Sequence, residues 1–340
     1  MIRIKTPTKR IKDFHLSYFQ KREIDKQFDF AISRQTNQEF IDFFSFLKER
    51  KTSILIGKPQ KLEKIKGYIK KNFNEIYRGL FNLNTDESIN TEVFKGLRDE
   101  IESIFDYKAF SVASTPLTQG VKWGAYGLVN KLKVQICPYC QRSFTSTIKG
   151  AGGKTRPVLD HFIDKAKHPY FSVSLYNLIP CCVVCNSSFK GSKDFSLRNN
   201  FHPYINGYQE KAVFYLKPSQ GFDEDLTSIL NGKYSVGIKS LESNNKSFTR
   251  RVLSSNEIFH LCELYDFNKI YIDDLVNQSR IYTPEFINEL AKMDIFEGDL
   301  EVRLILSGIK KTNESYLYTS NDNYRVLNKL LHDISNDLGI

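Results

Sequence analysis

The cysteine pattern constrains this chain more than any other feature of the sequence. Five of the six cysteines lie between positions 137 and 185, and four of them form two Cys-x-x-Cys pairs. The pairs are Cys137 with Cys140 and Cys182 with Cys185. Thiolates are soft ligands, and two such pairs can close a tetrahedral zinc site. Clustered pairs of this kind indicate a metal more than disulfides when a secretory signal is lacking, so we expect a structural zinc ion.

Two further cysteines are not needed for this site. Cys181 could compete with Cys182 as a ligand, but the two-residue spacing to Cys185 favours Cys182. Cys262 stands alone in an apolar helical pattern and is expected to be a core residue.

Positive charge is concentrated on the same stretch of chain. The formal net charge is +10. Between Lys131 and Lys193 there are ten Lys and Arg residues against two Asp residues, which places +8 there and leaves +2 for the rest. A basic patch attracts polyanions through counterion release. A basic surface that only keeps the protein soluble would explain this charge equally well. The charge lies on the same segment as the cysteines, and this coincidence favours nucleic acid as a partner.

The periodicity of apolar residues predicts an α+β chain in three parts. Residues 1–130 are expected to form a mainly helical region, and residues 131–205 carry the motifs. Residues 206–340 should form short strands followed by helices. The strands are expected at 213–216 and 234–238, and the helices at 270–276, 284–293 and 324–338.

Several classes of protein are disfavoured by the sequence. A run of about 18 apolar residues, as a membrane span requires, is missing. The N-terminus is basic but no apolar segment of a secretory signal follows it, so we expect a cytosolic protein. The Gly153-Lys154-Thr155 sequence lacks the earlier glycine of a phosphate-binding loop, because position 148 is Ile.

Polar residues between and after the cysteine pairs suggest chemistry. They are Asp160 and His161 at the end of a short apolar strand, then Asn177, Asn186 and Lys190. Each has an ordinary explanation when taken alone: a structural Asp-His pair, a turn asparagine, or a helix cap for Asn186. A zinc-folded module that only binds does not need the whole set, so the joint pattern favours catalysis.

These residues, in this order and spacing, resemble the ββα-metal core of the HNH endonuclease family. The likeness covers Asp160-His161, Asn177-Leu178-Ile179, Cys182-x-x-Cys185-Asn186 and Lys190. Many members of the family have His at the last motif position, whereas this chain has Asn186, which is the HNN variant. The resemblance implies a central HNH core with a four-cysteine zinc knuckle, flanked by the helical region and by the strand-then-helix region.

The resemblance also implies a role for each residue. His161 would be the general base, which a histidine near neutral pH can be. Asp160 and Asn186 would bind a catalytic Mg²⁺ or Mn²⁺ through oxygen. Asn177 would hold the loop that carries His161, and Lys190 would contact phosphate. His168 and His202 are expected to be structural.

A looser similarity of layout links the chain to HNH proteins of bacterial anti-phage systems, of the retron-associated and Septu types. In those systems an ATPase subunit is a common partner. Two other functions stay open: a non-catalytic zinc module that binds nucleic acid or a protein partner, and a thiol-redox protein. The two cysteine pairs bracket the motif, as expected for a metal site, so the thiol-redox function is the least favoured of these alternatives.

Overall fold

The computed structural model describes residues 1–82, 91–112, 114–117, 120–150, 153–219, 221, 226–281, 283, 286, 289, 292 and 326–338. The chain is a mixed α and β protein, as the sequence predicts. It divides into two compact units. We call them the N-terminal unit (Arg3–Pro138 with Thr145–Gly207) and the C-terminal unit (Met1–Ile2, Tyr139–Phe144 and Tyr208–Ile340).

The N-terminal unit begins with helices and continues with short strands. Its helices are α1 (Lys9–Lys21), α2 (Ile24–Arg34), α3 (Gln38–Ile56), α4 (Pro59–Asn72), α5 (Asn74–Asn82), α6 (Thr91–Ile104), α7 (Tyr107–Val112) and α8 (Ala125–Leu132). Its strands are β1 (Thr115–Pro116), β2 (Lys122–Trp123), β3 (Ile148–Gly150), β4 (Gly153–Thr155), β5 (Val158–His161) and β6 (Leu178–Cys181). They pair as antiparallel hairpins, β1 with β2, β3 with β4 and β5 with β6.

Local sequence explains where these helices start. The Thr8 side chain accepts a hydrogen bond from the Ile11 backbone N–H, which caps α1. Asn37 caps α3 in the same way through the Glu39 N–H. Pro59 opens α4 at the position where a missing N–H costs nothing. None of the described helices is both long and apolar enough to cross a membrane.

The β5–β6 hairpin positions the predicted site residues. Asp160 pairs with Ile179 and His161 with Leu178 across the two strands. The connection between the strands contains two short helical turns, Pro169–Phe171 and Leu175–Asn177. A wider helical turn, Val184–Lys190, follows β6.

Helices of the first 130 residues hold this connection, which is why both belong to one compact unit. His15 on α1 donates from Nε2 to the Val173 carbonyl at 2.8 Å. The Ser172 hydroxyl donates to the Phe105 carbonyl at 2.6 Å. Along the sequence, residue 207 belongs to the N-terminal unit and residue 208 to the C-terminal unit, and positions 130 and 131 lie within the same unit.

The C-terminal unit contains the strands and helices that follow. They are β7 (Ala212–Pro218), α9 (Leu226–Leu230), β8 (Tyr234–Ser240), α10 (Lys246–Phe259), α11 (Leu261–Asp266), α12 (Lys269–Ile281) and α13 (Asn328–Asp337). Strands β7 and β8 form an antiparallel hairpin at the two predicted strand positions. The helix expected at 284–293 falls outside the described residues except at 286, 289 and 292.

Two buried contacts hold α13 and the segment 139–144 in the C-terminal unit. The Asp333 carboxylate accepts from the Phe214 N–H of β7 at 2.8 Å and pairs with Lys329 one helical turn away. Tyr139 stacks on Phe259 with ring centroids 4.6 Å apart.

Candidate active-site cleft and metal centre

Four cysteines converge on one point, and they are the four that the spacing selects. The Sγ atoms of Cys137, Cys140, Cys182 and Cys185 all lie within 4.8 Å of one another. Four sulfurs around a zinc ion at about 2.3 Å stand roughly 3.8 Å apart, so this cluster fits a metal ion such as zinc with little contraction. The Cys185 N–H donates to Cys182 Sγ at 3.4 Å, which helps to orient the thiolate.

The neighbouring Cys181 takes no part in the cluster. It ends β6, is fully buried, and burial raises the pKa of its thiol well above the ordinary value. Adjacent residues of a strand point to opposite faces, so Cys181 turns away from the position that Cys182 takes. Cys262, also outside the cluster, is half-buried in α11, and burial raises its pKa to about 12.

Most of the predicted catalytic residues line one cleft of about 380 Å³. Asp160 and His161 reach it from β5, and Asn186 and Lys190 reach it from the helical turn after β6. Asn177 does not line it.

His161 is held as a neutral imidazole. Its Nε2 lies 2.7 Å from the Ser172 carbonyl. A carbonyl only accepts, so Nε2 carries the proton and Nδ1 carries the lone pair. Burial first, and then the charges of Lys165 and Lys190, lower the pKa of His161 to about 3. The edge-to-face ring of Tyr107, with its centroid 4.5 Å away, fixes the imidazole plane.

Asn177 binds the backbone of the β5–β6 connection with both ends of its amide. Its Oδ1 accepts from the Ile163 N–H at 2.7 Å. Its Nδ2 donates to the carbonyls of Ile163 and Phe171, both at 3.0 Å. The side chain is buried, so these three bonds replace water for three backbone groups. They fix the segment that directly follows His161.

Lys190 is turned into the protein. Its ammonium lies 3.0 Å from the Asp160 carboxylate, and each side chain is only 2% exposed. The same ammonium donates to the His161 carbonyl at 2.7 Å. In this structure, then, Asp160 and the His161 backbone hold the cation that we expected to contact phosphate.

Asn186 occupies the middle of the helical turn and does not cap it, because the turn starts at Val184. Its side chain is partly exposed, and Nδ2 donates weakly to the Ser187 hydroxyl at 3.2 Å. Asn186 lines the cleft together with Asp160, and the oxygen of its amide is a hard donor.

The cleft lining includes four further ionisable residues that were not predicted from the sequence: Tyr107, Arg156, Asp164 and Lys165. Asp164 is 9% exposed, and its Oδ2 has no hydrogen-bond partner among the described residues. Arg156 donates to the carbonyls of Pro157 and Ser111, which fix its guanidinium at the rim. Asp164 and Lys165 follow His161 closely enough that proximity could have suggested them.

The remaining motif histidines lie elsewhere, in buried aromatic surroundings. His168 is fully buried, with Nδ1 3.0 Å from the Tyr170 hydroxyl. His202 packs on Phe162 with ring centroids 4.2 Å apart, and burial lowers its pKa to about 3. Neither lines the cleft.

Comparison with known proteins gives one short similarity. The chain is 35% identical over 79 residues to Protein ea31 of Escherichia phage lambda. The aligned segment spans 23% of this chain and 23% of the phage protein. Neither a protein-family model nor a solved structure matches the chain. A match this short does not assign a family, so function rests on the site itself.

Proposed function

We propose that this protein is a metal-dependent HNH endonuclease that hydrolyses phosphodiester bonds of nucleic acid, with DNA as the favoured substrate. The observation that carries the proposal is the placement of His161. A neutral imidazole with its lone pair on Nδ1 lines the same cleft as Asp160 and Asn186. The order of β5, β6 and the helical turn 184–190 supports the ββα-metal resemblance.

The donors of the cleft fit a hard divalent ion. Asp160 and Asn186, which line the cleft, carry side-chain oxygen atoms, and Asp164 lines the same cleft. Oxygen donors of this kind suit Mg²⁺ or Mn²⁺. When bound, such an ion would stabilise the charge that develops on the phosphate and on the leaving oxygen.

The chain's own residues would then carry out the proton transfer. His161 Nδ1 takes a proton from water as the water oxygen attacks phosphorus, and the bond to the 3′-oxygen breaks. The 3′-oxygen leaves with the bonding electrons and takes a proton from solvent, so the products are a 5′-phosphate and a 3′-hydroxyl. The Ser172 carbonyl stabilises the protonated imidazole through Nε2–H. Asn177 acts as a positioning residue, since it touches only backbone.

Cations at the rim would hold the substrate backbone. Arg156 and Lys165 line the cleft, and Lys190 lies at its base beside Asp160. A divalent ion that binds Asp160 competes with the Lys190 ammonium for the carboxylate. Displaced from that pair, Lys190 would contact phosphate as the resemblance implies.

The four-cysteine cluster would hold zinc as a structural ion, separate from the reaction. We also retain the anti-phage context as part of this proposal, with an ATPase or another defence-system subunit as the regulatory partner. It rests on the similarity of layout to the retron-associated and Septu HNH proteins.

One observation favours a second function, that of a non-catalytic zinc-stabilised module which binds nucleic acid or a protein. The Asp160 carboxylate is already neutralised by a buried lysine, so the site is electrostatically complete without a divalent ion. Binding to DNA that never leads to cleavage, with any added divalent ion, would favour this alternative.

The test is the nicking of supercoiled plasmid by the purified chain with added Mg²⁺ or Mn²⁺. We expect cleavage only when one of these ions is present. Asn186→Ala should raise the Mg²⁺ concentration needed for half-maximal rate by about tenfold or more, as loss of one ligand implies. Ser188→Ala, which alters an exposed residue of the same turn outside the cleft lining, should behave like the wild type. Wild-type protein that leaves plasmid intact with both ions would contradict the proposal.

A further inference from the structure

Helix α4 presents a strongly basic face outside the cleft. Among its 14 residues there are five lysines and a single acidic residue, Glu63. Its buried stripe consists of Leu62, Ile65 and Ile69. One lysine, Lys66, turns inward and pairs with Asp194 at 2.8 Å. The other four point outward and are exposed: Lys61, Lys64, Lys70 and Lys71.

A glycine lies at the centre of this outward face. At 100° per residue, Gly67 stands opposite the buried stripe. Four residues lie three or four positions away on this face, and three of them are Lys64, Lys70 and Lys71. The fourth, Glu63, accepts a hydrogen bond from the Leu197 N–H at 3.2 Å. A Cβ built on Gly67 would meet nothing within 4 Å. Glycine weakens a helix interior, and no described part of the chain needs the space that it leaves.

A second exposed glycine in a helix shows that the neighbouring residues distinguish Gly67. Gly96 in α6 also has open space where a Cβ would lie. Its neighbours at three and four residues are Glu92, Val93, Asp99 and Glu100, of which three are acidic and none is basic. An exposed glycine alone therefore indicates nothing, whereas three of the four corresponding neighbours of Gly67 are lysines.

An aromatic side chain flanks the same gap. Tyr68 is 49% exposed and is stacked on Phe46, with centroids 4.8 Å apart and planes 8° from parallel. A tyrosine held rigid in this way next to lysines suits contact with a nucleotide. The helix is also tied to the cleft wall, because Asp194 binds Lys66 and accepts from the Asp164 N–H at 3.2 Å.

We infer that the outward face of α4 is a second nucleic-acid contact surface, in which a backbone phosphate approaches the helix at Gly67 between Lys64, Lys70 and Lys71. The missing side chain allows the close approach, and the lysines supply the charge. The inference rests on the proposed function for its choice of nucleic acid as the partner. A small open gap flanked by three lysines fits a phosphate better than it fits a bulky carboxylate side chain of a peptide.

The first experiment measures binding of a fluorescein-labelled 25-base-pair DNA duplex to the full chain by anisotropy, without added divalent ions. Lys64→Gln/Lys71→Gln should weaken binding by about fivefold or more and lower the slope of log K against log salt by about 1.8. The matched control, Lys9→Gln/Lys26→Gln, removes the same charge from exposed lysines of α1 and α2. Equal effects of the two double variants would overturn the inference.

The second experiment separates ligand contact from helix stability. Gly67→Ala should raise the melting temperature by about 2 °C, because alanine favours the helix, and yet weaken DNA binding at least threefold. Gly96→Ala should raise the melting temperature by a similar amount and leave DNA binding unchanged. Unchanged binding by Gly67→Ala, or equal competition by polyglutamate and by unlabelled duplex, would overturn the inference.

The outcome is distinguishable from that of the proposed function. If DNA binding depends on α4 but no divalent ion gives cleavage, the contact surface on α4 is supported and the nuclease function is rejected. If the wild type cleaves DNA and the α4 variants bind DNA normally, only the contact surface is rejected.

Discussion

The four-cysteine cluster and the cleft differ in the types of donor group that they bring together. The cluster brings together four donors of one type, whose sulfur atoms already point at one another. The cleft combines carboxylates, an amide, a neutral imidazole and cations, and each is held by a different backbone or side-chain partner. A site of identical soft donors is satisfied by one ion and then has no further chemistry to perform. Variety of donors is what a hydrolytic reaction needs, so we propose that the cluster is a folding centre and the cleft a reacting one.

The two regions also differ in how their charge is balanced. Thiolates can be neutralised only by a metal or by protons, whereas Asp160 is neutralised by Lys190 within the protein. We therefore expect the cluster to depend on its ion for folding, and the cleft to keep its shape when no divalent ion is present.

Loss of a cysteine ligand should have the largest effect. Cys182→Ala should lose the zinc ion and with it most of the stability of the chain, since structural zinc contributes on the order of 10 kcal/mol in small metal-dependent folds. Cys181→Ala, one residue earlier, should keep about one zinc per chain. Metal analysis and thermal melting of both variants check this. The assignment of ligands is wrong if Cys181→Ala loses zinc and Cys182→Ala keeps it.

The second largest effect should come from the buried Lys190–Asp160 pair in the cleft. Lys190→Met leaves Asp160 as an uncompensated buried charge, so we expect a loss of about 3–5 kcal/mol in the free energy of unfolding. Excess Mg²⁺ should restore part of that loss, because a divalent ion can take the place of the ammonium. Lys193→Met, at an exposed position three residues later, should change stability by about 0.5 kcal/mol or less. Failure of Mg²⁺ to stabilise Lys190→Met would argue against Asp160 as a metal ligand.

The amide of Asn177 should have an intermediate effect. Asn177→Ala removes the amide that binds the Ile163 N–H and carbonyl, while the Phe171 carbonyl keeps the Ser174 N–H. We expect this to cost about 2–4 kcal/mol and to slow plasmid cleavage. Ser174→Ala serves as the control, because the Ser174 hydroxyl is buried but has no hydrogen-bond partner among the described residues. Urea unfolding and cleavage rates measure both variants. A loss in Asn177→Ala no larger than in the control would show that the amide does not hold the loop.

The smallest effect concerns pH. Burial lowers the pKa of His15 to about 4, below the ordinary 6.5, so the unfolded chain binds more protons between these values. The stability that neutral His15 contributes is complete above pH 6.5 and falls as the pH drops, by about 1.4 kcal/mol per pH unit. His15→Gln should reduce the slope by this amount without abolishing it, because burial also lowers the pKa values of His161 and His202, while His332→Gln should keep the full slope. Urea unfolding, followed by the fluorescence of Trp123, the single tryptophan, measures how the free energy of unfolding depends on pH. Equal slopes in the wild type and in both variants would contradict this cause.

Much of the metal centre could be predicted from the sequence because spacing along the chain decides it. The two-residue separation in each pair selects Cys182 over Cys181, and the structure agrees. The β7–β8 hairpin was also predictable, since period-two alternation marks both strands.

The surroundings of the cleft were not predictable, because tertiary packing supplies them. Tyr107 reaches His161 from a helix about 50 positions earlier, and no local pattern encodes that contact. The pairing of Lys190 with Asp160 depends on which way the helical turn 184–190 faces the hairpin. The expected division at residue 130 followed helical periodicity alone, which cannot show that α1 binds the β5–β6 connection.

One measurement tests the central claim most directly: zinc content and plasmid cleavage on the same preparation of His161→Ala, with Mg²⁺ present. The account predicts about one zinc per chain, as in the wild type, together with a cleavage rate lower by a factor of about 10² to 10⁴. Cleavage at the wild-type rate by a fully zinc-loaded variant would contradict the assignment of the cleft as the reacting centre.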